Sequence, residues 1–306
     1  MTAITRALPA TTHDDTRGML LGLVGVAMFS LTLPFTRMAV MDLAPLFVSL
    51  ARALGAALLA AAWLVWRRAP LPPRPAWLPL SLVMLGVVIG FPFLSSMALR
   101  TLPAAHGAVL VGLLPLMTTL YAALRGDERP SVGFWLMAVL GAALVVAFAL
   151  IQGGGALHPA DLWMLGAVMA GAVGYAEGGK LARTLGGPET ICWALLLAAP
   201  LAAALLAWHL AVHTSDFAAV GPAAWLAMGY VTAFSMFIGF FFWYRGLALG
   251  GIARVGQVQL LQPFMSLIGA AVLLDEALSL LHCLFALAVI GVVFTGRRLQ
   301  VRRNAA

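Results

Sequence analysis

The chain has 306 residues, of which 63% are hydrophobic and 9% charged, and its mean hydropathy is +1.01. A soluble domain of this length needs a charged surface that this composition lacks, so the sequence reads as an integral membrane protein. The net charge of +7 is carried by arginines between apolar runs or at the ends, with no basic stripe interleaved with exposed aromatics, which argues against nucleic-acid binding. The two cysteines, Cys192 and Cys283, lie inside apolar runs and offer neither a disulfide framework nor a metal cluster.

Residues 1–17 contain Thr11, Thr12, His13, Asp14 and Asp15 but no apolar stretch, and are expected to form a flexible cytoplasmic tail. Beyond them, a helix needs about 20 mostly apolar residues to cross about 30 Å of hydrocarbon. Breaks at charged, proline and glycine clusters predict ten spans, at about 18–40, 44–66, 77–98, 102–124, 132–151, 160–183, 190–212, 222–247, 251–274 and 279–298. With the N-terminus inside, the cytoplasmic segments collect Arg6 and Arg17, Arg67, Arg68 and Arg74, Arg125 and Arg129, Lys180 and Arg183, Arg245 and Arg254, and the terminal Arg297, Arg298, Arg302 and Arg303. The other side keeps at most Arg37 and Arg100, so both termini are expected in the cytoplasm, with the chain multi-pass in the cell inner (plasma) membrane.

The segment LLPLMTTLYAALRGDERPS, from Leu113, returns as LQPFMSLIGAAVLLDEALS, from Leu261. Pro115 and Pro263 stand 148 residues apart, and so do Asp127 and Asp275, Glu128 and Glu276, and Ser131 and Ser279. That offset is five helices, an odd number, so the second copy must insert upside down. The expected fold is therefore all-α, with ten transmembrane helices as two inverted five-helix repeats. The first repeat covers 18–151, a connector 152–159, the second repeat 160–298, and a basic cytoplasmic tail 299–306. Duplicated inverted halves suit alternating access, in which one motion opens either side.

Two five-helix halves, each with a proline-containing fourth helix running into DERPS or DEALS, resemble the drug/metabolite transporter superfamily in its EamA-type branch. SLARALGAALLAA, from Ser49 to Ala61, also resembles that family's second helix, whose early arginine is Arg52 here. The resemblance covers about residues 18–300, and the aromatic-rich body is similar to YddG-like exporters of amino acids and related metabolites. It implies a secondary transporter without a cofactor, working as a monomer or homodimer in the bilayer on a small-molecule substrate such as an aromatic or neutral amino acid. Drug, nucleoside or nucleotide-sugar transport on the same fold is the alternative. A membrane-embedded enzyme is the alternative of another class, but the spans offer only isolated acids, bases and nucleophiles, so no catalytic residues are assigned. No G-x-x-x-x-G-K-[ST] occurs to drive transport with ATP.

In such folds the site is expected near mid-membrane, where broken helices leave carbonyls free. Pro34, Pro115 and Pro263 free the carbonyls of Ser30, Val111 and Gln259, either as plain packing kinks or, for the duplicated pair, as hinges. Gln259, Gln262 and Ser266 share one face at 100° per residue and serve either as inter-helix glue or as cavity lining, while Gln257 points elsewhere. Ser235 shares a face with Thr232, Gly239, Phe242, Trp243 and Gly246. Phe242 and Trp243 are candidates to stack on substrate, although a lipid-interface belt explains Trp243 equally well.

Glu177 and Lys180 form the plausible buried ion pair, three residues apart, with Glu177 a proton-coupling candidate or a structural acid near the cytoplasmic end. Tyr175 lies on a small-residue face with Gly171, Gly174 and Gly178. Arg52, about 12 Å into its span, either counters a substrate carboxylate or caps carbonyls and pairs with Asp42. His106 is a helix partner or a proton relay. His209 and His213 have metal-ligand spacing without a third ligand beyond Asp216, so no metal is assigned. The candidate substrate set is thus Ser30, Pro34, Tyr175, Glu177 and Ser235, with Phe242, Trp243, Gln259, Gln262 and Ser266. Pro115, Pro263, Glu128 and Glu276 are the candidate hinges and gates.

Overall fold

The computed structural model describes residues 12–125, 128–152, 154–155, 157–213, 216–250, 255–256, 258–298 and 301–303, without the side chains of 12–15, 128–130, 134, 297–298 and 301–303. Arg6, Asp127, Arg254 and Gln257 therefore lie outside the described residues. Seven helical stretches among the described residues are long and apolar enough to cross a membrane: Thr16–Asp42, Pro45–Arg67, Arg74–Leu99, Ala104–Leu124, Trp135–Gln152, Gly187–Val212 and Pro222–Gly250. Pro159–Leu181, which carries Asp161, Glu177 and Lys180, is also one continuous helix, and two shorter apolar stretches follow at Val258–Leu274 and Leu280–Gly296. Large apolar side chains such as Leu58, Val65, Leu226 and Leu280 point outward, where a bilayer, not water, is the favourable solvent.

In chain order the helices are α1 (Thr12–Ser30), α2 (Thr32–Asp42), α3 (Pro45–Arg67), α4 (Trp77–Val83), α5 (Phe91–Leu99), α6 (Ala104–Val111), α7 (Leu114–Leu124) and α8 (Val132–Gln152). They continue as α9 (Pro159–Leu181), α10 (Gly187–Val212), α11 (Pro222–Tyr230), α12 (Gly239–Gly250), α13 (Gln262–Leu274) and α14 (Leu280–Arg298). One departure from the all-α expectation is a short antiparallel pairing of β1 (Glu128–Pro130) with β2 (Val301–Arg303), in which Arg129 faces Arg302.

Most of the broken passes owe their break to an identifiable residue or turn. Pro34 denies the Ser30 carbonyl its helical donor, and α1 gives way to α2 at Leu31. The chain between α6 and α7 breaks just before Pro115, the second residue of α7, and a 3₁₀ turn (Val258–Leu261) hands over to α13 just before Pro263, its second residue. The residues at these two breaks, Leu113 (φ −75°, ψ −14°) and Leu261 (φ −78°, ψ −19°), are again 148 apart and adopt nearly the same backbone conformation. Two widened π-helical turns also recur in register: Met84–Gly90 lies between α4 and α5, Val231–Ile238 lies between α11 and α12, and their last residues are 148 apart.

Small residues set the packing. α1 lies against α12 so closely that a Cβ on Gly246 would sit 2.8 Å from the Gly18 carbonyl oxygen and from the Gly22 nitrogen. The π turn at Met84–Gly90 meets α9 in the same way, a Cβ on Gly86 falling 2.6 Å from the Ala170 carbonyl oxygen. α3 packs on α10 and α8 on α14. The break before α7 meets the break before α13, since a Cβ on Gly112 would lie 3.3 Å from Cγ of Pro263.

Candidate functional site

The helix irregularities converge on a narrow cavity of about 20 Å³, enough for a single water molecule. Thr32 and Leu33 enter it from the α1/α2 break, Val87 and Phe91 from the first π turn and its end, Ser235 from the second π turn, and Gln262 from the start of α13. Regular helix supplies the remainder: Phe29, Arg52, Tyr175 and Phe240, from α1, α3, α9 and α12. Irregular backbone at membrane depth is tolerated where it lines a cavity, and here it is concentrated there. One wall is aromatic, with Phe29 and Phe240 centroids 4.8 Å apart and Tyr175 at 6.1 Å from Phe29. The opposing polar groups are partly spent on one another, since Thr32 Oγ1 and Ser235 Oγ share a hydrogen bond of 2.7 Å.

Of the substrate-set residues read from sequence, Tyr175, Ser235 and Gln262 line this cavity. Ser30 and Ser266 meet instead between helices: Ser266 Oγ donates to the Ser30 carbonyl that Pro34 frees, at 2.7 Å, and Ser30 Oγ donates to the Ala27 carbonyl. Pro34 is buried beside Gly269 of α13. Trp243 is buried one layer behind the aromatic wall, 5.4 Å from Tyr175, and Phe242 is half-buried away from the cavity. Gln259 is buried with no hydrogen-bond partner for its Nε2 among the described residues, and it lies outside the cavity lining.

A second, larger opening of about 470 Å³ lies where Trp63, Trp66 and Arg67 of α3 meet Glu189 and Arg245. Its tryptophans and arginines are those of a membrane–water interface. The narrower cavity, fed by six helical stretches from both halves of the chain, is the better candidate site.

The EamA-like transporter family model matches the chain twice, at residues 16–150 and 158–297. The chain belongs to that family. A curated relative, "Uncharacterized transporter YdeK" of Bacillus subtilis (strain 168), is 46% identical over 286 residues, covering 94% of this chain and 99% of the relative. A solved crystal structure superposes with a TM-score of 0.64 at 22% identity, covering 92% of this chain and 96% of the other, and so shows a shared fold alone. The protein is therefore a membrane transporter, and small-molecule transport in a bilayer, not enzymatic turnover, is its activity.

In this EamA transporter several ionisable groups away from the cavity are tied down. The Glu177 carboxylate accepts from Tyr121 OH at 2.8 Å and from Arg125 Nε at 3.1 Å, so its bonds reach across to α7, where sequence reading looked along α9 to Lys180. A buried His–Asp contact, unforeseen from sequence, joins His106 Nε2 to Asp161 Oδ1 at 2.7 Å, while Asp161 Oδ2 accepts from the His158 backbone N–H. Glu276 accepts from the Ala104 and Ala105 backbone N–H groups at 2.7 Å each, closing the first turn of α6. The side chain of Glu128, its counterpart in the repeat, lies outside the described residues. His209 and His213 stack ring on ring at 4.6 Å.

The cavity residues that the substrate set lacks are Phe29, Thr32, Leu33, Arg52, Val87, Phe91 and Phe240. One signal was present: Arg52 is a charge deep in an apolar span. The aromatics carried none, because a phenylalanine in a hydrophobic span has no distinguishing sequence feature.

Proposed function

We propose that the protein is a secondary transporter that exports aromatic or neutral amino acids, or related small metabolites, across the cell inner membrane by alternating access through this cavity. The observation that carries this reading is the construction of that cavity at helix irregularities that recur in register in both halves of the chain. A ligand held where helices are already broken can be exposed to one side or the other by small movements at the breaks.

Ten passes, as two inverted five-helix repeats at 18–151 and 160–298, are part of the proposal. The three remaining helical stretches, added to the seven long ones, supply that number, and two family matches support the duplication. The packing supports it too: α1 on α12 corresponds, by an offset of five passes, to α9 on the Arg74–Leu99 pass, while α3 on α10 and α8 on α14 exchange with themselves. Pro115 and Pro263, whose breaks touch, are the proposed hinges, and Glu276 holds the outer end of α6 in the present form. Both termini are proposed to face the cytoplasm, in keeping with the arginine distribution. The aromatic wall suits an apolar or aromatic side chain, and the polar wall suits its charged head.

The test is counterflow in proteoliposomes with labelled aromatic, aliphatic, basic and acidic amino acids, against empty liposomes and a Gln262→Ala variant of verified fold. Saturable counterflow of aromatic or neutral amino acids, weakened at least about tenfold in the variant, is expected. Absence of flux for every amino acid in folded protein would overturn the substrate reading and direct the panel to nucleosides, sugars and cationic drugs.

A further inference from the structure

Arg52 is 2% exposed and lines the cavity, and neither its buried Nε nor its buried Nη1 has a hydrogen-bond acceptor among the described residues. A guanidinium does not lose its proton inside a protein, so neutralisation by deprotonation is not an escape. A buried charge is tolerated only when it is paired and hydrogen-bonded, and an arginine within a membrane faces an interior partner. The acid that the sequence offers to it, Asp42, accepts from the Gly221 N–H, and the buried Glu177 accepts from Tyr121 and Arg125. Neither the His106–Asp161 contact nor the Arg125–Glu177 ion pair includes Arg52.

The cavity wall shows a complementary deficit. Gln262 Oε1 is buried without a donor, although it lines the same cavity as the donor-rich Arg52. Thr32 and Ser235 are already bonded to each other and do not make up the shortfall. One side thus lacks an acceptor of negative charge and the other lacks an N–H donor, with an aromatic wall beside them.

We infer that Arg52 is the carboxylate-binding residue of the transport site and that the substrate class is small organic monocarboxylates, the α-amino acids among them. The guanidinium fork presents parallel N–H donors that match a carboxylate in two bonds. One cation without a second in the lining suits a single negative charge, which disfavours phosphate esters and dicarboxylates. Gln262 Oε1 then accepts from the substrate ammonium, and Phe29, Tyr175 and Phe240 receive its side chain. The inference rests on the proposal that this cavity is the transport site. It goes beyond it by naming the group that the substrate must carry and the residue that reads it.

The test separates the two. Purified full-length protein in detergent is melted with phenylalanine, phenylalaninamide, phenethylamine, 3-phenylpropionate and phenyl phosphate, and the same compounds compete for phenylalanine counterflow in proteoliposomes. Wild-type protein is expected to bind the two carboxylates at least about tenfold more tightly than the amide and the amine, with phenyl phosphate weaker than 3-phenylpropionate. Arg52→Gln is expected to bring acid and amide within about twofold of each other, and Arg52→Lys to keep part of the preference. Equal binding of acid and amide by the wild type overturns the inference whether or not the variants fold, and leaves the transport reading standing if counterflow persists. A carboxylate preference that survives in folded Arg52→Gln also overturns it. A carboxylate preference lost in Arg52→Gln without counterflow of any amino acid sustains Arg52 while overturning the amino-acid reading.

Discussion

Gln262 and Ser266 stand one helical turn apart on a face that the sequence marks as polar, yet they do different things. Ser266 spends its hydroxyl on the Ser30 carbonyl, while Gln262 lines the cavity with its side-chain oxygen buried and without a donor among the described residues. Ser266→Ala is therefore expected to cost about 0.5–1.5 kcal/mol of stability, the range of a hydrogen bond between membrane helices, with the substrate KM within about twofold of wild type. Thermal melting in detergent and counterflow kinetics on the same preparation read the two effects, and a large KM rise without a melting change would make Ser266 a ligand. Sequence periodicity could select this face but could not divide it, because the division depends on which carbonyl a neighbouring proline has freed. The same periodicity misplaced the aromatics of the eighth span. The π turn at Val231–Ile238 takes more residues per turn than a regular helix, so a face drawn at 100° per residue drifts, and Phe240 reaches the cavity where Phe242 and Trp243 were expected.

Between elements, the recurring device is a charged side chain from one helix closing the end of another. Glu276 takes the first two N–H groups of α6, Asp42 takes the Gly221 N–H ahead of α11, Arg37 donates to the Leu99 carbonyl at the end of α5, and Arg100 donates to the Val40 carbonyl near the end of α2. Each places charge where it favours the helix dipole, and each ties passes that are distant in sequence. Glu276→Ala should cost about 1–2 kcal/mol of stability. Its loss should also speed release of α6 from the α13–α14 loop, read as faster proteolysis or hydrogen exchange at residues near Ala104. Unchanged exchange there would show that the cap does not hold the end. Helix placement was largely legible, because apolar length and charged breaks are sequence properties; the caps were not, since their partners lie 60 to 179 residues away. Glycine contacts discriminate in the same way. Gly246→Val must force α1 from α12 and should abolish folded yield, whereas Gly291→Ala meets open space and should leave melting unchanged, as fluorescence size-exclusion of the two variants will report.

Across the whole molecule, repetition and charge combine. The repeated Pro and Asp-Glu motif made the 148-residue offset readable, but the π turns that recur with it have no motif and emerge only from the backbone. What they border is a narrow cavity with room for about one water, lined by Arg52, whose Nε and Nη1 have no hydrogen-bond partner among the described residues. For a carrier working by alternating access, that state lies on the return path of the empty transporter, and passing through it leaves Arg52 buried without an anion. A carboxylate substrate removes that penalty on the loaded path, so loaded carriers should cross between sides faster than empty ones. Exchange of internal for external substrate is accordingly expected to outrun net flux into substrate-free buffer by about tenfold or more, the factor that 1.4 kcal/mol of differential stabilisation supplies. Arg52→Gln replaces the charge with a neutral amide. It should lower affinity for carboxylates while raising net flux relative to exchange, two changes of opposite sign that loss of fold alone does not produce. Both rates come from the same proteoliposomes, with labelled substrate inside and unlabelled substrate present or absent outside. A ratio that stays at the wild-type value in folded Arg52→Gln would mean that the empty carrier pairs this guanidinium in a conformation with a different closure of the cavity.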